Sequence, residues 1–172
     1  MKIVFDQITE DGLNVQLDGI SWLPPKIDFE MPFSATAFCR KHPTGNIIVE
    51  GYYQAVAILT CDRCLAEFRL PLEVSFTVYV ELQQDESAQE IDRHCKRAEM
   101  DTIYVDKPEL DLSYLFQQQV LLSLPMKRIC AEDCRGLCAK CGVNLNLYPE
   151  KCQCHEGEDS PFSILARLKK DE

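Results

Sequence analysis

Residues 46–82 read NIIVEGYYQAVAILTCDRCLAEFRLPLEVSFTVYVEL, two stretches suited to extended chain on either side of a short segment holding two cysteines. In the first stretch, residues 46–60, β-branched and aromatic side chains dominate. In the second, residues 66–82, Phe68, Leu70, Leu72, Val74, Phe76, Val78, Val80 and Leu82 alternate with a face that carries Arg69, Glu73, Thr77 and Glu81. A period of two is the spacing of a strand with one buried and one wet side. The segment therefore predicts two long antiparallel strands joined through Cys61–Leu65.

Working outward, Lys2–Phe5, Leu13–Leu17 and Ala35–Arg40 read as shorter strands, with Pro24 and Pro25 forming a stiff loop between the last two. Residues 83–100, QQDESAQEIDRHCKRAEM, lose the apolar alternation and read as a charged surface loop or short helix. Thr102–Val105 is one more strand. Asp111 can cap a helix running to Ser123, with Leu112, Leu115, Phe116 and Val120 at helical spacing and Pro125 ending it. A closing helix is expected from Ser160 through Lys170, with Pro161 at its first position and Arg167, Lys169 and Lys170 at its negative end. The predicted class is α+β: an antiparallel, sheet-rich body over residues 1–125 with one helix near 111–123, then a Cys-rich zinc-binding module and short closing helix over 126–172.

Composition sets limits on function. The 172 residues are 46% hydrophobic and 27% charged, which excludes a disordered chain and a membrane-embedded one. Eighteen Lys and Arg against 28 Asp and Glu give a net charge of −10, the wrong sign for coating phosphate backbones by bulk attraction. The first residues, MKIVFDQITEDG, lack the apolar run of a secretory signal, so a cytoplasmic location with no membrane partner is expected. In a reducing compartment, ten cysteines point to metal ligation before disulfides.

Six of those cysteines crowd between Cys130 and Cys154. Cys138-Ala-Lys-Cys141-Gly142 has the form of a zinc knuckle: two thiolates from one tight turn grip an ion, and the glycine accepts the positive φ that follows. Cys152 and Cys154, beyond a turn-prone VNLNLYPEK loop, can complete four ligands. A closed tetrathiolate site has no open position and serves structure, replacing a core that so short a segment cannot build. Cys61-Asp-Arg-Cys64 is a second C-x-x-C without the glycine. Together with Cys130 and Cys134 it would close a second site and staple the module to the hairpin tip; pairing Cys61 and Cys64 with Cys138 and Cys141 is the competing partition. His155 is a possible substitute for Cys154, and Cys39 and Cys95 stand outside every spacing pattern. Two loaded sites would take the formal charge from −10 to about −14.

Residues 126–155 nevertheless carry five bases (Lys127, Arg128, Arg135, Lys140, Lys151) against three acids (Glu132, Asp133, Glu150). Arg63, Arg135 and Lys140, beside the candidate ligands, are candidate contacts to RNA or a partner protein. Catalytic signals are thin. His42, His94 and His155 belong to no recognisable triad or H-E-x-x-H pattern, the seven glycines form no phosphate loop, and Asp85, Glu86, Glu90 and Asp92 read as a solvated run. No enzyme and no small-molecule substrate are expected.

Three strings together, Leu59-Thr60-Cys61-Asp62-Arg63-Cys64-Leu65, Ile129-Cys130-Ala131-Glu132-Asp133-Cys134-Arg135-Gly136-Leu137-Cys138-Ala139-Lys140-Cys141-Gly142-Val143-Asn144-Leu145-Asn146 and Cys152-Gln153-Cys154, resemble the YceD family of large ribosomal RNA subunit accumulation proteins. The resemblance extends over about Ile47 to Leu168. It implies a ribosome-biogenesis factor without known catalytic activity, needed for the accumulation or processing of 23S ribosomal RNA. Its expected partners are the large-subunit RNA precursor or a ribosome-maturation protein. On this reading two zinc ions per chain shape a surface bearing Arg63, Arg135, Lys140, Asn144 and Asn146. Competing expectations are a thiol redox protein using Cys61 and Cys64, and a protein-interaction module unrelated to RNA.

Overall fold

A computed structural model describes residues 1–43, 45–83 and 101–154. Its elements in chain order are β1 (Lys2–Val4), β2 (Leu13–Leu17), β3 (Asp28–Lys41), β4 (Ile47–Thr60), β5 (Glu67–Leu82), β6 (Thr102–Val105), β7 (Glu109–Asp111) and α1 (Leu112–Ser123). The expected hairpin is β4 and β5, paired without interruption from Ile47 opposite Val80 to Thr60 opposite Glu67. It forms the middle of a five-stranded sheet of order β2-β3-β4-β5-β6, antiparallel except for the parallel β5–β6 edge. The described residues thus form an antiparallel-dominated, sheet-rich fold with one α-helix. The readings placed on residues 84–100 and on the closing helix, including His94, Cys95 and His155, lie outside the described residues.

Alternation decides which face is covered. Along β4, Val49, Tyr53, Ala55, Ala57 and Leu59 are buried, while Glu50, Gln54 and Thr60 face water. α1 lies against the covered face and buries Leu112, Leu115, Phe116 and Val120, the stripe its spacing predicts. Trp22, Tyr53, Phe76 and Phe116 meet there, with ring centroids 5.0–6.3 Å apart in tilted or edge-on arrangements suited to aromatic quadrupoles. Phe76 reaches Phe116 over Gly51, where any Cβ would lie 2.1 Å from the ring. The Tyr53 hydroxyl, 2.9 Å from Ser123 Oγ and 3.2 Å from the Gln119 carbonyl, ties the last turn of α1 to the sheet. At the other end Asp111 accepts the Tyr114 N–H at 3.3 Å, the capping bond its position predicts.

Two elements depart from expectation. β3 begins at Asp28 and not at Ala35, because the long ladder of β4 recruits DFEMPFS as a partner despite its acids and Pro32. The register breaks between Glu30 and Ser34, around the cis Met31–Pro32 peptide. β7, which carries no strand signal in the sequence, pairs with β1 in a separate two-stranded sheet, Ile3 opposite Leu110. The free end of the β4–β5 hairpin carries the first cysteine pair and receives the segment after α1.

Candidate metal centres

The turn between β4 and β5 is built by its backbone. Cys61 N–H donates to the Ala66 carbonyl at 2.9 Å and Leu65 N–H to the Cys61 carbonyl at 3.0 Å, with Leu65 in the left-handed region at φ +57°. The later knuckle repeats this pattern. Cys138 N–H donates to Val143 at 2.9 Å and Gly142 N–H to Cys138 at 2.8 Å, with Gly142 at φ +74°. No glycine follows Cys64, yet the turn is the same and Leu65 takes the glycine's place.

The structure brings the cysteines into two groups. Cys61, Cys64, Cys130 and Cys134 form an inner group, and Cys138, Cys141, Cys152 and Cys154 an outer one, with all four sulfurs of each within 4.8 Å of one another. Sγ separations of 3.9 Å (Cys61–Cys134), 3.6 Å (Cys64–Cys130) and 3.8 Å (Cys141–Cys152) are far beyond disulfide length. They match the edge, about 3.8 Å, of a tetrahedron with metal–sulfur bonds of about 2.3 Å. Each group could therefore hold one metal ion. The competing partition, Cys61 and Cys64 with Cys138 and Cys141, is not among the groupings formed.

Surroundings separate the groups. In the inner one Cys61, Cys64 and Cys134 are buried, only 0–5% exposed, and Ala66, Phe68 and Ile129 pack around them. The hairpin turn holds the incoming segment with its backbone and the Asp62 side chain: Asp62 N–H donates to the Arg128 carbonyl at 2.8 Å, and Asp62 Oδ2 accepts the Arg128 N–H at 2.7 Å. Leu137 N–H donates to the Arg63 carbonyl at 3.1 Å, and Arg63 Nη1 donates to the Cys134 carbonyl at 2.9 Å. Gly136, at φ +77°, lets this approach occur, since a Cβ there would sit 3.1 Å from the Arg63 oxygen. The outer ligands are exposed or half-exposed and come from one local stretch ending in a short 3-10 turn, Pro149–Lys151.

Thiol acidity is divided within each group. Burial disfavours the Cys61 thiolate, but backbone N–H groups of Cys130, Cys64 and Arg63 outweigh it and lower the pKa to about 6. Desolvation and the thiols of Cys134, Cys64 and Cys61 push Cys130 up to about 12. The N–H groups of Cys141 and Lys140 lower Cys138 to about 6, while its bond to Cys141, then desolvation, raises Cys154 to about 12. Within each group one thiol is thus made more acidic and another less so; a divalent cation would favour the thiolate form of all four. Cys39, buried in the sheet core and far from both groups, is raised to about 11 by burial.

Arg63, Arg135 and Lys140 are exposed around the inner group and the outer knuckle. Asn144 and Asn146, expected to face a partner, direct their carboxamides inward. Asn144 Nδ2 donates to the Cys64 carbonyl at 3.2 Å, and Asn146 Nδ2 to the Cys134 sulfur at 3.3 Å. The turn-forming loop folds back, so Asn144 is half-buried against the hairpin while Asn146, still exposed, braces Cys134. The sequence reading also missed Asp62 as a clamp on Arg128, for no local signal links residues so far apart.

The architecture defines a class: a sheet-rich scaffold whose hairpin tip and C-terminal cysteines form two tetrathiol groups able to hold metal ions. The chain belongs to the family described as Large ribosomal RNA subunit accumulation protein YceD, which it matches over residues 49–169. Uncharacterized proteins of Mycobacterium tuberculosis and Mycobacterium bovis are 32% identical over 126 residues, covering 72% of this chain and 56% of theirs. The chain thus spans about half the length of the curated relatives it matches. The Large ribosomal RNA subunit accumulation protein YCED homolog 1 of Arabidopsis thaliana chloroplasts is 37% identical over 62 residues, 36% of this chain and 19% of that protein. No solved structure matches. No helix among the described residues is long and apolar enough to cross a membrane.

Proposed function

We propose that this chain is a non-enzymatic, cytoplasmic ribosome-biogenesis factor that supports the accumulation and processing of 23S ribosomal RNA, with two structural zinc ions. The observation that carries the reading is the family match over residues 49–169, which spans both tetrathiol groups. Four thiolates in a closed tetrahedral set favour zinc, and leave no open position for a substrate or an attacking water. Zinc at Cys61, Cys64, Cys130 and Cys134 joins the C-terminal segment to the hairpin tip; zinc at Cys138, Cys141, Cys152 and Cys154 fixes the outer loop. Residues 1–125 then act as the body and 126–172 as the module it presents. The Cys61 and Cys64 sulfurs lie against those of Cys134 and Cys130, which favours ligation over exchange within a C-x-x-C dithiol.

The partner is a large-subunit RNA precursor, met directly or through a maturation protein. With net charge −10, contact rests on a local basic spot. Arg63, Arg135 and Lys140, exposed around the inner group and the outer knuckle, are its proposed members, Arg63 while also bonded to the Cys134 carbonyl. The test is sedimentation of the tagged protein on sucrose gradients from cells, with zinc measured on the purified protein. We expect about two zinc per chain and co-migration with large-subunit precursors that weakens with salt. Arg135→Glu with Lys140→Glu is expected to weaken that association at unchanged circular dichroism. Absence from precursor fractions at low salt would overturn the ribosomal reading, and a folded, zinc-free protein the metal reading.

A further inference from the structure

The loop between Cys141 and Cys152 belongs in sequence to the outer group, yet its side chains serve the inner one. Asn146 Nδ2 donates to the Cys134 sulfur at 3.3 Å while its Oδ1 accepts the Arg135 N–H at 2.8 Å. One carboxamide therefore touches an inner ligand and the backbone immediately after it. Asn144 Oδ1 accepts the Asn146 N–H at 3.0 Å, and its Nδ2 donates to the carbonyl of Cys64, another inner ligand, at 3.2 Å. An amide N–H aimed at a thiolate favours its charge and fixes its direction, and losing such a partner costs a metal site about 10- to 100-fold in affinity.

The outer group closes this loop. Cys141 and Cys152, at its two ends, hold their sulfurs 3.8 Å apart. Inside it, Leu145 N–H donates to Gly136 at 3.0 Å and Tyr148 N–H to Asn144 at 2.9 Å. Without a metal joining its ends, ordering the loop has to be achieved by those few bonds against its conformational entropy. Resting on the two-zinc reading, we propose that Asn146 is a positioning residue for the inner metal and that the outer metal, by closing the loop that delivers it, sets how long the inner one is retained.

The experiment follows zinc release from the loaded full chain to a chromophoric chelator. The phase that survives in Cys152→Ser/Cys154→Ser identifies the inner metal. Asn146→Asp keeps the volume and the acceptor for Arg135 but turns an acceptor toward the sulfur. It is expected to speed the inner phase about 10- to 100-fold and leave the outer phase unchanged. The double cysteine variant should speed the remaining release by a similar factor, with little further effect of Asn146→Asp, because the loop no longer presents the amide. Asn146→Asp leaves all eight thiols in place, so one accelerated phase beside one unchanged phase supports its positioning role even if the cysteine variant fails to fold, and two unchanged phases overturn it. Two zinc per chain with an unchanged inner phase would overturn this inference and leave the zinc reading standing. A wild-type chain without zinc would overturn both.

Discussion

The knuckles at Cys61–Ala66 and Cys138–Val143 share the same two backbone hydrogen bonds and the same left-handed residue after the second cysteine, yet they stand in opposite surroundings. The first continues two long strands, and its group gathers ligands from residues 61 to 134 behind Phe68 and Ile129. The second projects from a loop and completes its group by residue 154. The turn sets how two sulfurs are presented; what they join determines whether the group is a tertiary fastener or a local clip. Sites assembled from distant segments close longer loops and so constrain more of the unfolded chain.

Removing one ligand from each group is the strongest way to break the comparison. Cys61→Ser should abolish inner loading, cost on the order of 4 kcal/mol, and release the segment after α1 from the hairpin. Limited proteolysis should then cut near residues 126–137 while the sheet core stays protected. Cys152→Ser should lose one metal equivalent as well, but restrict new cleavage to residues after Leu137. Equal proteolytic patterns in the two variants would show that the groups fold as one unit and that the contrast is only one of exposure.

A smaller contrast comes from two glycines with almost the same φ. Gly136→Ala faces both the left-handed penalty of about 1–2 kcal/mol and the Arg63 carbonyl 3.1 Å from the new Cβ. The hairpin and the C-terminal segment would have to separate slightly, taking the total to about 2–3 kcal/mol. Gly142→Ala meets no atom within 4 Å, so only the backbone term of about 1 kcal/mol remains. Chemical denaturation with bound zinc held constant should rank them in that order. Asp62→Ala follows: losing its bond to the Arg128 N–H should cost about 1 kcal/mol and speed inner but not outer metal release.

Features written in short-range pattern were legible, and those created by long-range contact were not. The alternation over 66–82, the Asp111 cap and the Leu112–Val120 stripe each follow from neighbours within one or two turns. The cysteine groups could be anticipated by spacing and counting, although a competing partition remained open until the chain path was known. The first half of β3 could not be read because its own residues disfavour a strand and only the length of β4 recruits them. The roles of Asn144 and Asp62 depend on contacts across more than 60 residues of sequence, that of Asn146 on a loop folding back over 12, and nothing local in an asparagine distinguishes a brace from a surface group.

The smallest expected effect concerns the position after the second cysteine, where one knuckle has leucine and the other glycine. Leu65 is 63% exposed, so its side chain gains little from burial, and its φ of +57° is one that non-glycine residues adopt at a cost. Leu65→Gly would relieve that cost but add backbone freedom to the unfolded chain, and the two nearly offset. A net gain of no more than about 1 kcal/mol is expected, with inner metal release unchanged, since the bonds from Leu65 N–H and Cys61 N–H use only backbone. A loss above that size would mean that the exposed leucine packs against something the thiols and the hairpin do not supply. Stability within this margin together with weaker sedimentation in precursor fractions would instead make Leu65 an apolar contact to the ribosomal partner, beside Arg63.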